Sequence, residues 1–396
     1  MSGAEGSSHQ KLRLAGLAAF GAMASMRCGD PMLTTLSDEF NQPLGNVSLV
    51  VSGFAISYGT MQLLYGPLGD RFGKLRVISI AAAGCAVASI LAAASLSFNM
   101  LVVARVLMGA AAAGIIPLSM AWVGDNFEYA ERQQTLSRLL SATVGGMIAG
   151  QWIGAWLTAA ASWHFVFAVL AVLFGAASLR LWRPAIEPPR SRPVSAISSA
   201  RTMVWLLGIS KVRWVLSAAT VEGMAMFGVL AFVPSILVEN YGLTTAYAGI
   251  VIAFFGIGGL IYSRVAGRLI GRLGERGLAL AGGSLAGVAI LTLSWAGSWI
   301  ATIPACLGAG AGFYMLHTTL QTQATQMAPE QRGMAVAWFA CLLFIGQSIG
   351  VTLMGVAMGH GLVRPALTAS AVILAILGTI VSLSVAPRTN PSTPKS

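Results

Sequence analysis

Residues 66–76 read Gly66-Pro67-Leu68-Gly69-Asp70-Arg71-Phe72-Gly73-Lys74-Leu75-Arg76, a charged stretch between two long apolar runs. The runs, 46–68 and 76–97, each match the roughly 20 apolar residues that a helix needs to cross a bilayer. The stretch is therefore read as a tight loop joining two membrane helices. Gly66 permits close helix approach, and Gly73 permits a tight turn. Asp70 sits at a helix end with cations beside it, where it can accept from the N-terminal amides of a neighbouring helix. Arg71 can pair with another acid, and Lys74 and Arg76 add further positive charge. Such a cluster locks one conformation and is released in another, which is how a gate is built. The plainer alternative is that these cations only anchor the loop at a membrane face.

The rest of the chain has the composition this loop implies. Of 396 residues, 56% are hydrophobic and only 9% are charged, against about 25% charged in an ordinary soluble domain. Mean hydropathy is +0.77. A soluble enzyme, a disordered chain and a disulfide scaffold are excluded, because so few charges cannot cover a water-soluble surface of this size. Twelve apolar spans are predicted, over 13–36, 46–68, 76–97, 100–123, 136–159, 164–182, 214–238, 246–268, 278–297, 299–324, 334–359 and 364–386. The ninth and tenth are separated only by Ala296-Gly297-Ser298-Trp299. Strands of a membrane barrel would alternate apolar and polar residues, and these runs are continuously apolar.

Net charge is +11. Its distribution points to topology instead of nucleic acid. With the N-terminus inside, 21 of the 24 basic residues fall at one face, while Arg364, Asp38, Glu39 and Glu239 fall at the other. By the positive-inside rule both termini are expected in the cytoplasm. The four cysteines lie within apolar spans and lack metal-ligand spacing, so they read as small apolar residues. The first apolar run lacks a small-residue cleavage site and reads as a retained helix.

The chain divides at residues 183–200, RPAIEPPRSRPVSAISSA, a linker by composition. The following stretch, 201–213, can lie along the membrane surface as an amphipathic helix or extend the seventh helix. The expected domains are a six-helix bundle over 1–182, a cytoplasmic linker over 183–213, and a second six-helix bundle with a short tail over 214–396. The halves are related. Gly66, Arg71 and Gly73 recur as Gly267, Arg272 and Gly274, and Glu131-Arg132 is echoed by Glu330 and Arg332. Pro31 is echoed by Pro234. Two like-oriented repeats of six helices place a substrate site at their interface, near the midplane.

The 66–76 loop resembles the signature between the second and third helices of the major facilitator superfamily, although Leu75 stands where a basic residue is usual. Twelve spans, a central linker and a weaker second copy, in which Gly271 replaces the acid, agree with that resemblance over essentially the whole chain. It implies an all-α membrane fold of 12 transmembrane helices in two pseudo-symmetric six-helix bundles, and a secondary transporter that works by alternating access. Arg105, followed by Gly109, looks like a second signature, associated with proton-coupled members. Gly146, Gly150 and Gly154 form a small-residue stripe that lets another helix pack closely. The stripe is similar to the antiporter signature, with Gln151 in place of the proline expected after the central glycine.

Charges within the hydrocarbon are costly and usually face a cavity or a partner. Four qualify. Arg27 and Asp30 lie three apart and can pair. Arg105 lies in the fourth span. Glu222 lies in the seventh, near the midplane, with no charged neighbour in its own helix. Asp30, Glu222 and Arg105 are the candidates for proton coupling, since opening to either face changes both hydration and nearby charge. The alternative is structural: a local Arg27–Asp30 pair that fixes the first helix, and an Arg105 that holds backbone carbonyls. Arg27, Tyr58, Gln62, Gln151, His317 and Gln321 are the candidates for lining a substrate cavity. No catalytic constellation, metal site or phosphate loop is found, so no cofactor is expected and an ion gradient is the default energy source.

These readings predict proton-coupled efflux of small amphiphilic or hydrophobic compounds by a monomeric, multi-pass protein of the bacterial inner membrane. The partners expected are the substrate, protons and lipid. Proton symport of an organic anion held by Arg27 and Arg105 is the alternative, and a non-transporting membrane receptor is the third reading.

Overall fold

The computed structural model describes residues 2–182 and 205–385, all in helices and short connections. The linker 183–200, residues 201–204 and the tail from 386 lie outside the described residues. Among the described residues twelve long helices follow one another: α1 (Ser2–Arg27), α2 (Leu49–Phe72), α3 (Lys74–Ala93), α4 (Phe98–Ala112, continued by Ile115–Asn126), α5 (Tyr129–Ala160), α6 (Trp163–Trp182), α7 (Ser210–Tyr241), α8 (245–273), α9 (275–295), α10 (Thr302–Gln326), α11 (Arg332–Gly359) and α12 (Val363–Ser384). Among the described residues nine helical stretches are long and apolar enough to cross a membrane, and the longest of them holds α8 and α9 in succession. Polar residues dilute the other two helices: Lys11, Arg13 and Arg27 in α1, and glycines with Gln151 in α5.

The interruptions have local causes. Pro31 has no N–H to continue the ladder, so α1 stops at Arg27. A 3-10 turn follows over Asp30–Met32, then a short helix over Leu33–Phe40. The fourth span is one 29-residue stretch, Phe98–Asn126, in which helical hydrogen bonding lapses at 113–114 while both residues keep right-handed helical dihedrals. Pro117 lies just inside the second segment of α4, and Gly114 leaves room for the ring of Tyr65, which a Cβ would strike. The Tyr65 hydroxyl donates to the carbonyls of Ala110 and Ala111, at 3.1 and 3.0 Å, and takes up acceptors near the lapse. Between α8 and α9 only Gly274 leaves helical geometry, with φ 64° and ψ 179°. Its counterpart Gly73 turns the chain between α2 and α3 with φ 88°. Positive φ of this kind favours glycine.

The repeat is visible in the packing. In the first half α1 lies on α5, α2 on α4 and α3 on α6; in the second α7 lies on α11, α8 on α10 and α9 on α12. Matching glycines make the closest approaches. A Cβ on Gly146 would strike the carbonyl of Phe20, and one on Gly346 that of Thr220. Gly150 and Gly350 stand likewise against Ala24 and Met224, and Gly109 and Gly310 against Phe54 and Phe255.

The two halves touch through α2 with α11 and through α5 with α8. These contacts run from the end opposite the termini to about mid-helix. Gly45, ahead of α2, faces the Gly355 carbonyl; Gly59 faces Phe344 and the Cys341 carbonyl; Gly249 and Gly256 face Ala155 and Ile148. Toward the terminal end, polar residues of the same helices are exposed: Gln134, Ser137 and Ser141 on α5, and Ser263 and Arg264 on α8.

Candidate functional site

Among the described residues four charged side chains are buried, Arg27, Asp30, Arg105 and Glu222, and each has a partner. The break after Arg27 brings Arg27 and Asp30 together, with Nη1 donating to Oδ2 at 3.5 Å and both residues at 1% exposure or less. Arg105 lies beneath this break. Its Nε donates to the Val50 carbonyl at 2.9 Å and its Nη1 to the Ser25 carbonyl at 2.6 Å. The guanidinium also covers the Phe54 ring at 4.4 Å. Arg105 thus ties α4 to the start of α2 and to the last turn of α1, as its structural reading anticipates.

The pairing of Glu222 is a different matter. Its carboxylate is fully buried on α7, and Oε2 meets Nδ1 of His317, on α10, at 2.9 Å. The two residues are 95 positions apart, so no local pattern joins them. His317 stacks on Phe313, with centroids 5.0 Å apart and planes 20° apart, and lies 5.4 Å from the Phe339 ring. Phe313 in turn meets Phe227 edge-on at 5.0 Å. The guanidinium of Arg27 sits over that same Phe227 ring at 4.4 Å. A continuous row results: Asp30, Arg27, Phe227, Phe313, His317, Glu222. It begins in the first half and ends in the second.

Several buried polar atoms along this row have no hydrogen-bond partner: Arg27 Nε, Asp30 Oδ1, Glu222 Oε1, and both amide atoms of Gln151 and of Gln347. Gln151, on α5, lies beside Asp30. Buried polar groups are ordinarily satisfied, so a cluster of open ones marks where a bound solute or water would be held. A hydrogen-bonded carboxylate and imidazole can also exchange a proton as a unit. Phe227, Phe313, Phe339 and Gln347 are not singled out by the sequence. The phenylalanines, apolar residues in apolar spans, carry no local signal of such a role, whereas Gln347, a polar residue in an apolar span, does.

The remaining candidates are dispersed. Tyr58 is buried at the contact between halves, its ring 4.7 Å from Phe344 and edge-on to it. Gln62 follows one turn later beside it, half-buried. Gln321 is exposed, one turn past His317 toward the terminal end. In the loop 66–76, Lys74 lies 3.6 Å from Asp70 and forms an ion pair with Asp125 at the end of α4. Arg71 covers the Phe72 ring at 5.0 Å and has no acidic partner among the described residues, and Arg76 is exposed. A Cβ on Gly66 would meet nothing within 4 Å, whereas one on Gly69 would strike Leu118, so the close approach is made at Gly69. Gly146 and Gly150 face α1, and Gly154 faces Cys28 just past its end.

Residues 15–351 match the family profile described as Major Facilitator Superfamily. The uncharacterized MFS-type transporter YceJ of Bacillus subtilis (strain 168) is 23% identical over 334 residues, which cover 82% of this chain and 83% of that protein. The methylenomycin A resistance protein of the same organism is 29% identical over 148 residues, 37% of this chain and 32% of that one. Among solved structures, a bacterial homologue of the human lysosomal transporter Spinster, inward-facing and occupied, superposes with a TM-score of 0.77 at 17% identity, covering 94% of this chain and 95% of that one. At that identity the likeness concerns the fold. The chain belongs to the major facilitator superfamily, and it is a multi-pass membrane protein with the transporter function of that family.

Proposed function

We propose that this transporter moves small amphiphilic or hydrophobic compounds out of the cell, driven by protons that enter through the buried row between Asp30 and Glu222. The observation that carries this reading is the Glu222–His317 hydrogen bond at 2.9 Å, linked through stacked aromatic rings to Arg27 and Asp30 in the other half. A carboxylate enclosed in the membrane is costly, and a proton-accepting partner beside it suits a group that loads and unloads protons. Rocking of the halves would separate Arg27 from Phe227 and alter both ends of the row together. Arg105 holds the break in α1 at a fixed height by its bonds to carbonyls. Glu222 and Asp30 are the proton carriers in this scheme. Arg27, Gln151 and His317 line the substrate path, with Tyr58, Gln62 and Gln321 at its margins. The open amides of Gln151 and Gln347 and the surrounding phenylalanines suit an amphiphilic solute.

Orientation and state complete the proposal. Both termini lie in the cytoplasm, as the 21 basic residues at that face suggest. The exposed polar side chains of α5 and α8 then line a cleft open to the cytoplasm. The bundles span 1–182 and 214–396, and the protein acts as a monomer. The similarity to a resistance protein is compatible with outward transport. Anion symport with Arg27 and Arg105 gripping a carboxylate is less well supported, since Nε and Nη1 of Arg105 are already engaged by carbonyls. Proteoliposomes under an imposed pH gradient provide the test. Gradient-driven flux of a lipophilic dye is expected in the wild type and is expected to be lost in Glu222→Gln. Undiminished flux in Glu222→Gln combined with Asp30→Asn would sink the coupling scheme.

A further inference from the structure

Along the glycine stripe α1 and α5 are in close contact; toward the terminal end they part. At Gly16 a Cβ would meet only the Cβ of Ala142, at 3.8 Å. The gap is a cavity of about 480 Å³. Its polar lining consists of three basic side chains, His9, Arg13 and Arg138, and its apolar lining includes Leu17, Phe20 and Leu139. Among the described residues no acidic one lines it. Arg13 and Arg138 are exposed and have no hydrogen-bonding or ion-pairing partner among the described residues. The deepest lining residue, Phe20, is seven residues short of Arg27, or about 10 Å along the helix at 1.5 Å per residue. The cavity is therefore separate from the midplane row.

Two unpaired guanidinium groups at the mouth of an apolar recess are complementary to one kind of ligand. An anionic head engages both guanidinium groups through charge-assisted hydrogen bonds, and its chain covers apolar side chains that would otherwise face water. We propose that this cavity between α1 and α5 binds an anionic amphiphile, a phosphate or carboxylate head on an alkyl chain, with Arg13 and Arg138 on the head and Leu17, Phe20 and Leu139 on the chain. The chemistry is shared by an acidic phospholipid of the surrounding leaflet and by a soluble alkyl phosphate. A bound chain would wedge α1 from α5 below the stripe and so bias the helix that ends at Arg27.

The test uses the full chain and two ligand series. In nanodiscs of phosphatidylcholine doped with phosphatidylglycerol, native mass spectrometry after detergent extraction reads which lipid stays bound. In dodecyl maltoside, thermal unfolding is followed with dodecyl phosphate and, separately, with inorganic phosphate. The unaltered protein is expected to retain phosphatidylglycerol in preference to phosphatidylcholine, to be stabilised by dodecyl phosphate, or both. Lipid retention alone assigns a bilayer source, and stabilisation alone a soluble one. Arg13→Gln with Arg138→Gln is expected to lower affinity at least tenfold. Gly16→Leu, which fills the cavity and keeps its charges, is expected to abolish binding of the chain-bearing ligands. Equal retention of both lipids with no effect of dodecyl phosphate would overturn the proposal. So would inorganic phosphate that protects as well as dodecyl phosphate. These ligand comparisons on the unaltered protein do not depend on any variant folding.

Discussion

Replacing His317 by phenylalanine would isolate the hydrogen bond on which the coupling scheme depends. The new ring can keep the stack on Phe313, 5.0 Å away, and the contact with Phe339 at 5.4 Å. What disappears is the 2.9 Å bond to Glu222. Because Glu222 is wholly buried and Oε1 already lacks a partner, its carboxylate is left with none. Three magnitudes compete. A hydrogen bond to a charged group is worth about 1.5–3 kcal/mol. Stranding a buried charge costs about 3–5 kcal/mol. Hydrogen bonds between membrane helices average about 0.6 kcal/mol, because the disrupted state finds other partners. The last figure sets the floor, and full burial of Glu222 moves the expectation toward the first, to about 2 kcal/mol. Glu222→Gln keeps the shape and one hydrogen bond, and should cost about 1 kcal/mol or less. Glu222→Leu combined with His317→Phe removes both polar partners and should cost less than the two single changes together, with a coupling of about 1–2 kcal/mol. Reversible unfolding in mixed dodecyl maltoside and dodecyl sulfate micelles measures all four corners of the cycle. Additivity to within about 0.5 kcal/mol would refute the reasoning, since independent sites behave that way.

Other changes probe the scaffold and the loops. Gly150→Leu drives a side chain into the Ala24 carbonyl and must part α1 from α5, at about 3 kcal/mol or more, while Gly66→Ala meets open space and should stay within about 0.5 kcal/mol of wild type; thermal unfolding in detergent compares the two. Gly274→Ala places a Cβ at φ 64° and ψ 179°, where only glycine is at ease, and should lower stability by about 1–3 kcal/mol. Lys74→Gln removes the partner of both Asp70 and Asp125; these groups are partly exposed, so about 1 kcal/mol is at stake. That change should disfavour the conformation seen here and reduce maleimide labelling of a cysteine placed at Ser263 several-fold, and an unchanged rate would separate the loop from gating.

What could be read from the sequence follows from the range over which each feature is encoded. Apolar length is a local property, so the helix order and the turns at Gly73 and Gly274 are evident from the chain. Charge spacing is local too, and Arg27 with Asp30, three apart, pairs as expected. The bond from Glu222 to His317 is not encoded locally: each residue is plain in its own helix, and only the packing of α7 with α10 joins them. The aromatic link is harder still, because Phe227, Phe313 and Phe339 look like any other apolar residue in a membrane span. The lapse of hydrogen bonding in α4 is marked by Gly114 and Pro117, but a run of uniformly high hydropathy conceals it. At Gly66 the sequence assigns the close approach one turn too early, because the contacting face is set by Leu118 on another helix.

The repeat itself narrows where function can reside. Glycines that bring helices together are kept in both halves: Gly146 with Gly346, Gly150 with Gly350 and Gly109 with Gly310, each against the corresponding carbonyl. The buried charges, and the acid and lysine of the loop, are not kept. Arg27 corresponds to Phe227, and these two related positions touch each other, guanidinium over ring at 4.4 Å, as residues beside a pseudo-two-fold axis must. Asp70 and Lys74 correspond to Gly271 and Glu275. Where Lys74 pairs with Asp125, Glu275 instead accepts from Gln323 at 3.0 Å. Glu222 corresponds to Ala22. A symmetric scaffold can rock but has no reason to prefer either side, so any bias between the two open states must come from the residues that break the symmetry. Those residues gather at mid-helix along the Asp30–Glu222 row and in the loops at 66–76 and 267–277, which makes the row and the loops the places where an ion or a substrate can tilt the balance.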